Sequence, residues 1–577
     1  MITYGKDSGG STVTASLGKV ASAVESAVVE MEKKNLIGRI WAHDSSVWSP
    51  VDTEIADRLG WLHCPERMPG AVPHLTEFAE ELRNQGFTDC LLLGMGGSSL
   101  APEVCRSVFG VREGFLNVRI VDTTHPDSVD GFSRELRPES TFFLVSSKSG
   151  GTVETLSLMN YFYGLICRKL GREEAGPRFA AITDPGSGLE KTAGDLRFRK
   201  IFLNDPEIGG RYAALSYVGL VPAALIGVDV GFFLERAAEA SAGGALEQVG
   251  VNSAAWLGAA MGVCARDGRN KLTLIASPSI GAFSAWLEQL IAESTGKKGK
   301  GIVPIVGEAL EEPEFYGDDR LFVYLKVEGD DRFDRRISVL EKAGHPVIRI
   351  TINSKYDLSG EFFRWEMATA VSGHVLGVNP FDQPDVESAK VKAKQAIEAF
   401  RREDGLPARH AKAGKDGIRL TGDFVSGSVL TALKEFIEGA LSTGKKMPGG
   451  PYLAIQAYLE PCKAVDRALD RIRHAAGKRF RIPVTLGYGP QFLHSTGQLH
   501  KGGPAGGLFV QITSEPQVDV PIPDRAGDDA SSVSFGMLIR AQALGDRQTL
   551  MDCGRDVLTV EITGDVPAEI ERLAENI

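Results

Sequence analysis

Four short apolar runs constrain this chain most. Cys90-Leu91-Leu92-Leu93, Val118-Arg119-Ile120-Val121, Phe142-Phe143-Leu144-Val145 and Phe179-Ala180-Ala181-Ile182 follow one another, with helical segments between most of them. Runs of this kind read as strands buried on both faces. Such strands alternating with helices require a parallel sheet covered on both sides. The alternation resumes with strands at Leu272–Ile275, Leu321–Leu325 and Pro346–Ile350, and helices at Ser284–Glu293 and Phe362–Ser372.

The flanking regions fit around these two units. Leu17, Val20, Ala21, Val24, Val28 and Met31 recur at helical spacing, and a second helix is predicted over Leu75–Leu82. Gly231–Ala265 reads as helical and lies between the two sheets. Beyond Lys390 a helix leads to a predicted linker, Arg402–Gly417. A third unit follows, with strands at Tyr452–Leu459 and Leu508–Ile512 and a helix at Ala464–Ala475. The expected class is α/β, with two parallel-sheet units and a C-terminal α/β extension. The expected boundaries are a helical segment 1–60, a first unit 61–230, a second 231–400 and the extension 401–577.

Composition narrows the partners. With 577 residues and 43% of them hydrophobic, the chain can bury several cores without covalent staples. Sixty-four basic against 75 acidic side chains give a net charge of −11. That argues against nucleic acid, whose phosphates need a basic surface. A small anion held by a few local cations stays open. The seven cysteines include no CxxC pair and read as reduced thiols. The longest apolar stretch, Tyr217–Leu234, is interrupted by Pro222, Gly227, Asp229 and Gly231 and reads as core helix and connection. Met1–Gly10 lacks signal-peptide order. The expectation is a cytoplasmic chain with no membrane association.

Several segments carry chemistry. The strand ending at Leu93 opens into Gly94-Met95-Gly96-Gly97-Ser98-Ser99, with a helix expected near Ala101. Glycines there let a backbone approach a ligand, and a helix start favours an anion. A ligand-free turn fits equally well, and the loop matches neither a Walker motif nor a dinucleotide fingerprint. The strand ending at Val145 opens into Ser146-Ser147-Lys148-Ser149-Gly150-Gly151-Thr152. Hydroxyls, an ammonium and glycines at a helix start can wrap phosphate oxygens. Two such loops at the carboxyl ends of parallel strands would meet in the sheet crevice. Together they point to a phosphorylated small molecule.

Other residues are ambiguous alone. Arg211 follows Gly209-Gly210 and could stabilise developing negative charge, but taken alone a surface or salt-bridged arginine is the default reading. Gln289 and Glu293 share a helix face, and Gly296 is a natural C-cap. A carboxylate at that end would be a candidate general base, its pKa raised by the dipole. Lys390 follows the proline-bounded Asn379–Asp385 loop, and its default reading is an exposed lysine.

Taken in order, GMGGSS, SSKSGGTVET, GGRY, QLIAESTGK and NPFDQPDVESAK resemble the glucose-6-phosphate isomerase family, over about 94–390. LGWL and YGPQFLHSTGQLHKGG resemble the isomerase half of fused transaldolase–isomerase proteins. The resemblance implies two three-layer sugar-isomerase units and a cytoplasmic enzyme of glycolysis and gluconeogenesis. It would interconvert glucose 6-phosphate and fructose 6-phosphate through a cis-enediol(ate). It also implies a small phosphorylated sugar as partner, a homodimer, and no cofactor or metal. By resemblance, Gly97, Ser98, Ser147, Lys148, Ser149 and Thr152 bind the phosphate and nearby hydroxyls. Glu293 moves the proton, Arg211 stabilises the intermediate, Gln289 and Gln383 position substrate, and Lys390 helps ring opening.

Three features depart from the family. Gly150-Gly151 stand where many members carry Phe-Thr, so mannose 6-phosphate is an alternative substrate. The stretch Gly307–Arg320 contains no histidine, where a ring-opening one is expected. The region after Lys390 has no counterpart in the ordinary enzyme. It contains Phe492–Gly503, with His494 and His500. The expectation is that this loop reaches the site and that His500, or else His494, supplies the missing group. A surface loop is the plain alternative, and a non-catalytic sugar-phosphate sensor is the alternative to an enzyme.

Overall fold

The computed structural model describes residues 2–6, 10–386, 392, 413–415, 417–421, 428–442 and 449–577. The first sheet has five parallel strands, in the order Asn117–Val121, Asp89–Leu93, Thr141–Ser146, Phe179–Thr183 and Lys200–Leu203. Its three inner strands are buried at every residue, which is why they read as unbroken apolar runs. The chain enters at Asp89–Leu93, steps to one neighbour, then crosses to Thr141–Ser146 on the other side. That reversal opens a crevice at the carboxyl ends of these two strands. Both glycine-bearing loops begin there. The first helix after them starts at Gly97, a turn earlier than Ala101.

The second sheet has six strands, in the order Ile2–Lys6, Ser11–Ser16, Val347–Ile352, Arg320–Val327, Lys271–Ala276 and Val303–Val306. The last four are parallel, and the first two form an antiparallel hairpin on the edge. This corrects the purely helical reading of the N-terminus. The predicted helix exists as Ala21–Lys33, but the residues before it are strands. Ser11–Ser16 alternates buried Val13 and Ala15 with half-exposed threonines and serine. Six residues are too few for that alternation to stand out in the sequence. The Gly231–Ala265 stretch splits into helices Val230–Gly244 and Ser253–Arg266. Asn252 caps the second, accepting from the Ala255 N–H at 3.0 Å.

The third sheet repeats the second in order and direction. An antiparallel hairpin, Ala413–Lys415 and Ile418–Thr421, leads to Asp556–Ile562, Gly507–Ser514, Tyr452–Tyr458 and Val484–Tyr488, which are parallel. Of the predicted linker, Ala413–Lys415 is a strand, while 402–412 and 416 lie outside the described residues. Lys390 and the helix expected after it also lie outside them, apart from residue 392.

The C-terminal region wraps back onto the first unit. Val520, Ile522, Phe535 and Leu538 enter the core formed by Leu91, Phe143, Leu158 and Phe162. Burial of each such side chain contributes about 1.5–3 kcal/mol. The Asp127 carboxylate accepts from the N–H groups of Gln517 and Val518, and the Asn160 amide donates to the Pro523 carbonyl. Among the described residues, no helix is long and apolar enough to cross a membrane.

One ion pair in this region is fully enclosed. Lys501 Nζ lies 2.5 Å from Asp546 Oδ1, and neither side chain is exposed. Asp546→Ala leaves a buried ammonium without its counter-charge. The expected cost is about 3–5 kcal/mol, read as a lower urea midpoint. An unchanged midpoint would show that the pair does not hold the region together.

Candidate active site

The site is built from loops that pack backbone against backbone. Gly96 has φ +55°, and a Cβ there would lie 2.6 Å from the His494 carbonyl oxygen. A Cβ on Gly97 would lie 2.1 Å from the Gly210 carbonyl oxygen. The first loop is therefore wedged between the Gly209-Gly210-Arg211 turn and the C-terminal region, which only glycine allows. Gly150 has φ +65°, and a Cβ there would meet the Leu189 amide nitrogen at 2.3 Å. Close packing thus accounts for glycine at position 150, without appeal to a different sugar.

The second loop presents hydroxyls at the start of the Val153–Leu170 helix. Ser147 Oγ donates to Thr152 Oγ1 at 3.2 Å, and Ser149 Oγ accepts from the Gly151 N–H at 3.3 Å. Ser98 lies in the first turn of the other helix. Lys148 departs from its expected place. Its ammonium pairs with Asp184 at 2.5 Å and donates to the Pro206 carbonyl. It is thus engaged by the protein rather than turned freely to a ligand.

Arg211 is buried, 3% exposed, and its guanidinium donates four hydrogen bonds to described residues. Nε donates to Ser294 Oγ at 2.8 Å, and Nη2 to the carbonyls of Pro380 and Asp382 at 2.6 and 3.0 Å. Nη1 donates to Gln383 Oε1 at 3.0 Å and faces Glu293 Oε1 at 3.1 Å. The guanidinium is fixed as a rigid fork. Glu293 sits in the last turn of the Phe283–Thr295 helix. Its other oxygen accepts from Gln289 Nε2 at 3.0 Å. Gln289 Oε1 is buried and meets no donor among the described residues.

Two holding groups carried no sequence assignment. Lys297 is buried and binds the Asn379 carbonyl and both the carbonyl and carboxylate of Asp382. Burial and the neighbouring Arg211 push its ammonium down to about 7. Gln498 donates to the Gly296 carbonyl at 3.0 Å and accepts from the Asp385 N–H at 2.9 Å. It joins the C-terminal region to the helix end that bears Glu293. Both residues lie inside segments already singled out, but nothing in their spacing distinguishes a clamp from a surface side chain.

The two C-terminal histidines separate. The His494 carbonyl accepts from Gln289 Nε2 at 2.7 Å, and its ring nitrogen Nε2 lies 2.9 Å from Glu154 Oε1. His500 does not join this group, which corrects the expectation placed on it. Its ring is buried against Phe492 and Phe509 and meets the Gln456 amide. That enclosure holds its imidazolium form well below the ordinary range. His345 and His374 bind backbone carbonyls, of Pro313 and Val47.

Comparison with known proteins places this geometry. The family model for phosphoglucose isomerase matches residues 77–303, which include the two loops, Arg211, Gln289 and Glu293. The glucose-6-phosphate isomerase of Rubrobacter xylanophilus is 31% identical over 391 residues, covering 59% of this chain and 89% of that enzyme. A hypothetical protein from Thermus thermophilus superposes with a TM-score of 0.57 at 23% identity, over 66% of this chain and 99% of its own. A glucose-6-phosphate isomerase from Chlamydia trachomatis superposes at 0.55 with 20% identity, over 68% and 89%. These two share the fold. With a relative matched at this identity over nearly its whole length, and the matched segment carrying the Arg211–Glu293 pair, the chain belongs to the glucose-6-phosphate isomerase family.

Proposed function

We propose that the chain is an aldose–ketose isomerase that interconverts D-glucose 6-phosphate and D-fructose 6-phosphate. The observation that carries this reading is the Arg211–Glu293 pair at 3.1 Å, on the edge of the crevice where the two loops open. The reaction moves one proton between C2 and C1 and makes an enediolate on the way. A carboxylate beside a fixed cation supplies both needs: Glu293 takes and returns the proton, and Arg211 balances the charge on the oxygens. The phosphate would lie at the two helix starts, against Ser98, Ser147, Ser149 and Thr152. Gln289 Oε1, which lacks a donor among the described residues, can accept from a sugar hydroxyl.

Ring opening needs a further acid–base group. His494 is the candidate, because its imidazole is paired with the Glu154 carboxylate and its backbone touches Gln289. Its place in the topology supports this. The stretch Gly307–Arg320, which holds no histidine, connects two strands of the second sheet. The third sheet repeats that sheet, and its matching connection carries His494. All of these groups come from one chain, so they assemble without a second copy. A homodimer remains part of the proposal on family grounds.

The test is a coupled assay for conversion of fructose 6-phosphate, run on the wild-type protein and on His494→Ala. Wild-type turnover is expected, and its absence would favour a sensor. For His494→Ala, turnover should fall by about 10- to 100-fold. That is at the low end for a lost acid–base group, because sugar rings also open unaided. Unchanged turnover would remove His494 from the mechanism.

A further inference from the structure

Glu154 is held from two sides. His494 Nε2 and Gln542 Nε2 both reach its Oε1, at 2.9 and 2.6 Å. Gln542 stands on the Phe535–Asp552 helix and is buried. Its amide has one workable orientation. Thr124, also buried, donates through Oγ1 to Gln542 Oε1 at 3.0 Å. Turning the amide over would set two acceptor oxygens against each other at Glu154.

We infer that Gln542 is a positioning residue for ring opening: it fixes Glu154, and through Glu154 the orientation and basicity of His494. This rests on the role proposed for His494 above. The chain of contacts runs from Thr124 in the first unit, through Gln542 of the C-terminal region, back to Glu154 and then to His494. It crosses between the units three times, so the C-terminal region supplies both the histidine and the brace behind its carboxylate.

The physical effect has a definite sign. A bond donated to a carboxylate lessens its hold on a second donor. With Gln542 in place, His494 faces a partly engaged acceptor. Without it, Glu154 has one donor fewer, acts more strongly on His494 and favours the imidazolium form. The other charged groups nearby are already engaged or stand farther off. Tyr458 faces Glu154 and Asp546, and Asp546 is paired with Lys501. Asp122 accepts from Gln491, and Glu293 with Arg211 lies beyond Gln289.

Gln542→Met keeps the side-chain length and removes the amide. The limb of the pH–rate profile that reports His494 should move up by roughly half to one unit, the equivalent of one lost charge-assisted bond. Thr124→Val, nearly isosteric, should move the same limb in the same direction by less. It keeps the test open if the first variant folds poorly, which thermal melting will report. A merely structural defect would lower the rate at every pH and leave the limb in place. An unmoved limb in the folded variants overturns the inference. His494→Ala, measured alongside, separates the two ideas. Normal turnover there sinks the ring-opening reading itself, whereas impaired turnover with an unmoved Gln542→Met limb sinks only the role of Gln542.

Discussion

Glu293→Gln lowers turnover of glucose 6-phosphate by about 10³- to 10⁴-fold and leaves KM near its wild-type value. The range is the upper part of what a lost general base costs. The substitution is mild in shape. A glutamine oxygen can still face Arg211 Nη1, now at 3.1 Å from the carboxylate. Its new N–H₂ group would then confront Gln289 Nε2, a donor that now binds Glu293 at 3.0 Å. Gln289 Nε2 gives up that one bond and keeps the bond it donates to the His494 carbonyl at 2.7 Å. The fold and the binding surfaces therefore survive, while the proton acceptor is gone. Two measurements check this: kcat in the coupled assay, and exchange of the C2 hydrogen with solvent. If exchange persists at the wild-type rate, another group moves the proton.

Four strands of the first sheet, three of the parallel strands of the second and the loops at the crevice are written locally, and sequence reading recovers them. A strand such as Cys90–Leu93 is buried on both faces, so its apolar run reports the sheet directly. Gly96, Gly97 and Gly150 mark backbone contacts that no other residue permits, and so they flag the loops. What the residues alone leave open is set by distant partners. Glu293 looks like any glutamate in a last turn until Arg211 closes on it. The repetition of the second sheet by the third is carried by strand order, not by recurring residues. The two histidines of one loop show the limit most clearly. His494 and His500 lie six residues apart in a stretch of similar composition. One faces Glu154 and the other is sealed by Phe492 and Phe509, because a helix begins at Gly497 between them. Composition cannot decide which ring turns inward to the crevice.

Arg211→Met is expected to lower kcat by about 10²- to 10³-fold, the usual cost of losing a preorganised charge at a developing oxyanion. It should also destabilise the protein by about 3 kcal/mol or more, because Glu293 loses its buried counter-charge. The Pro380 carbonyl and the Gln383 amide lose a donor as well, and the Asp382 carbonyl keeps only Lys297. Arg211→Lys tests whether charge or geometry matters. An ammonium brings three donors from one point, where the fork now serves acceptors on Ser294, Gln383, Pro380, Asp382 and Glu293. It cannot reach both the 380–383 segment and the helix end, so lysine should recover little of the rate. Catalysis and stability are separable by experiment. Thermal melting reports the loss of holding contacts. Binding of an aldonate one carbon shorter than the substrate, whose carboxylate stands where the enediolate charge forms, reports the loss of charge stabilisation. In Arg211→Met its affinity should fall in step with kcat. If kcat falls while the affinity stays at the wild-type value, the arginine holds the site together without acting on the intermediate. The charge on the enediolate would then have to be balanced elsewhere.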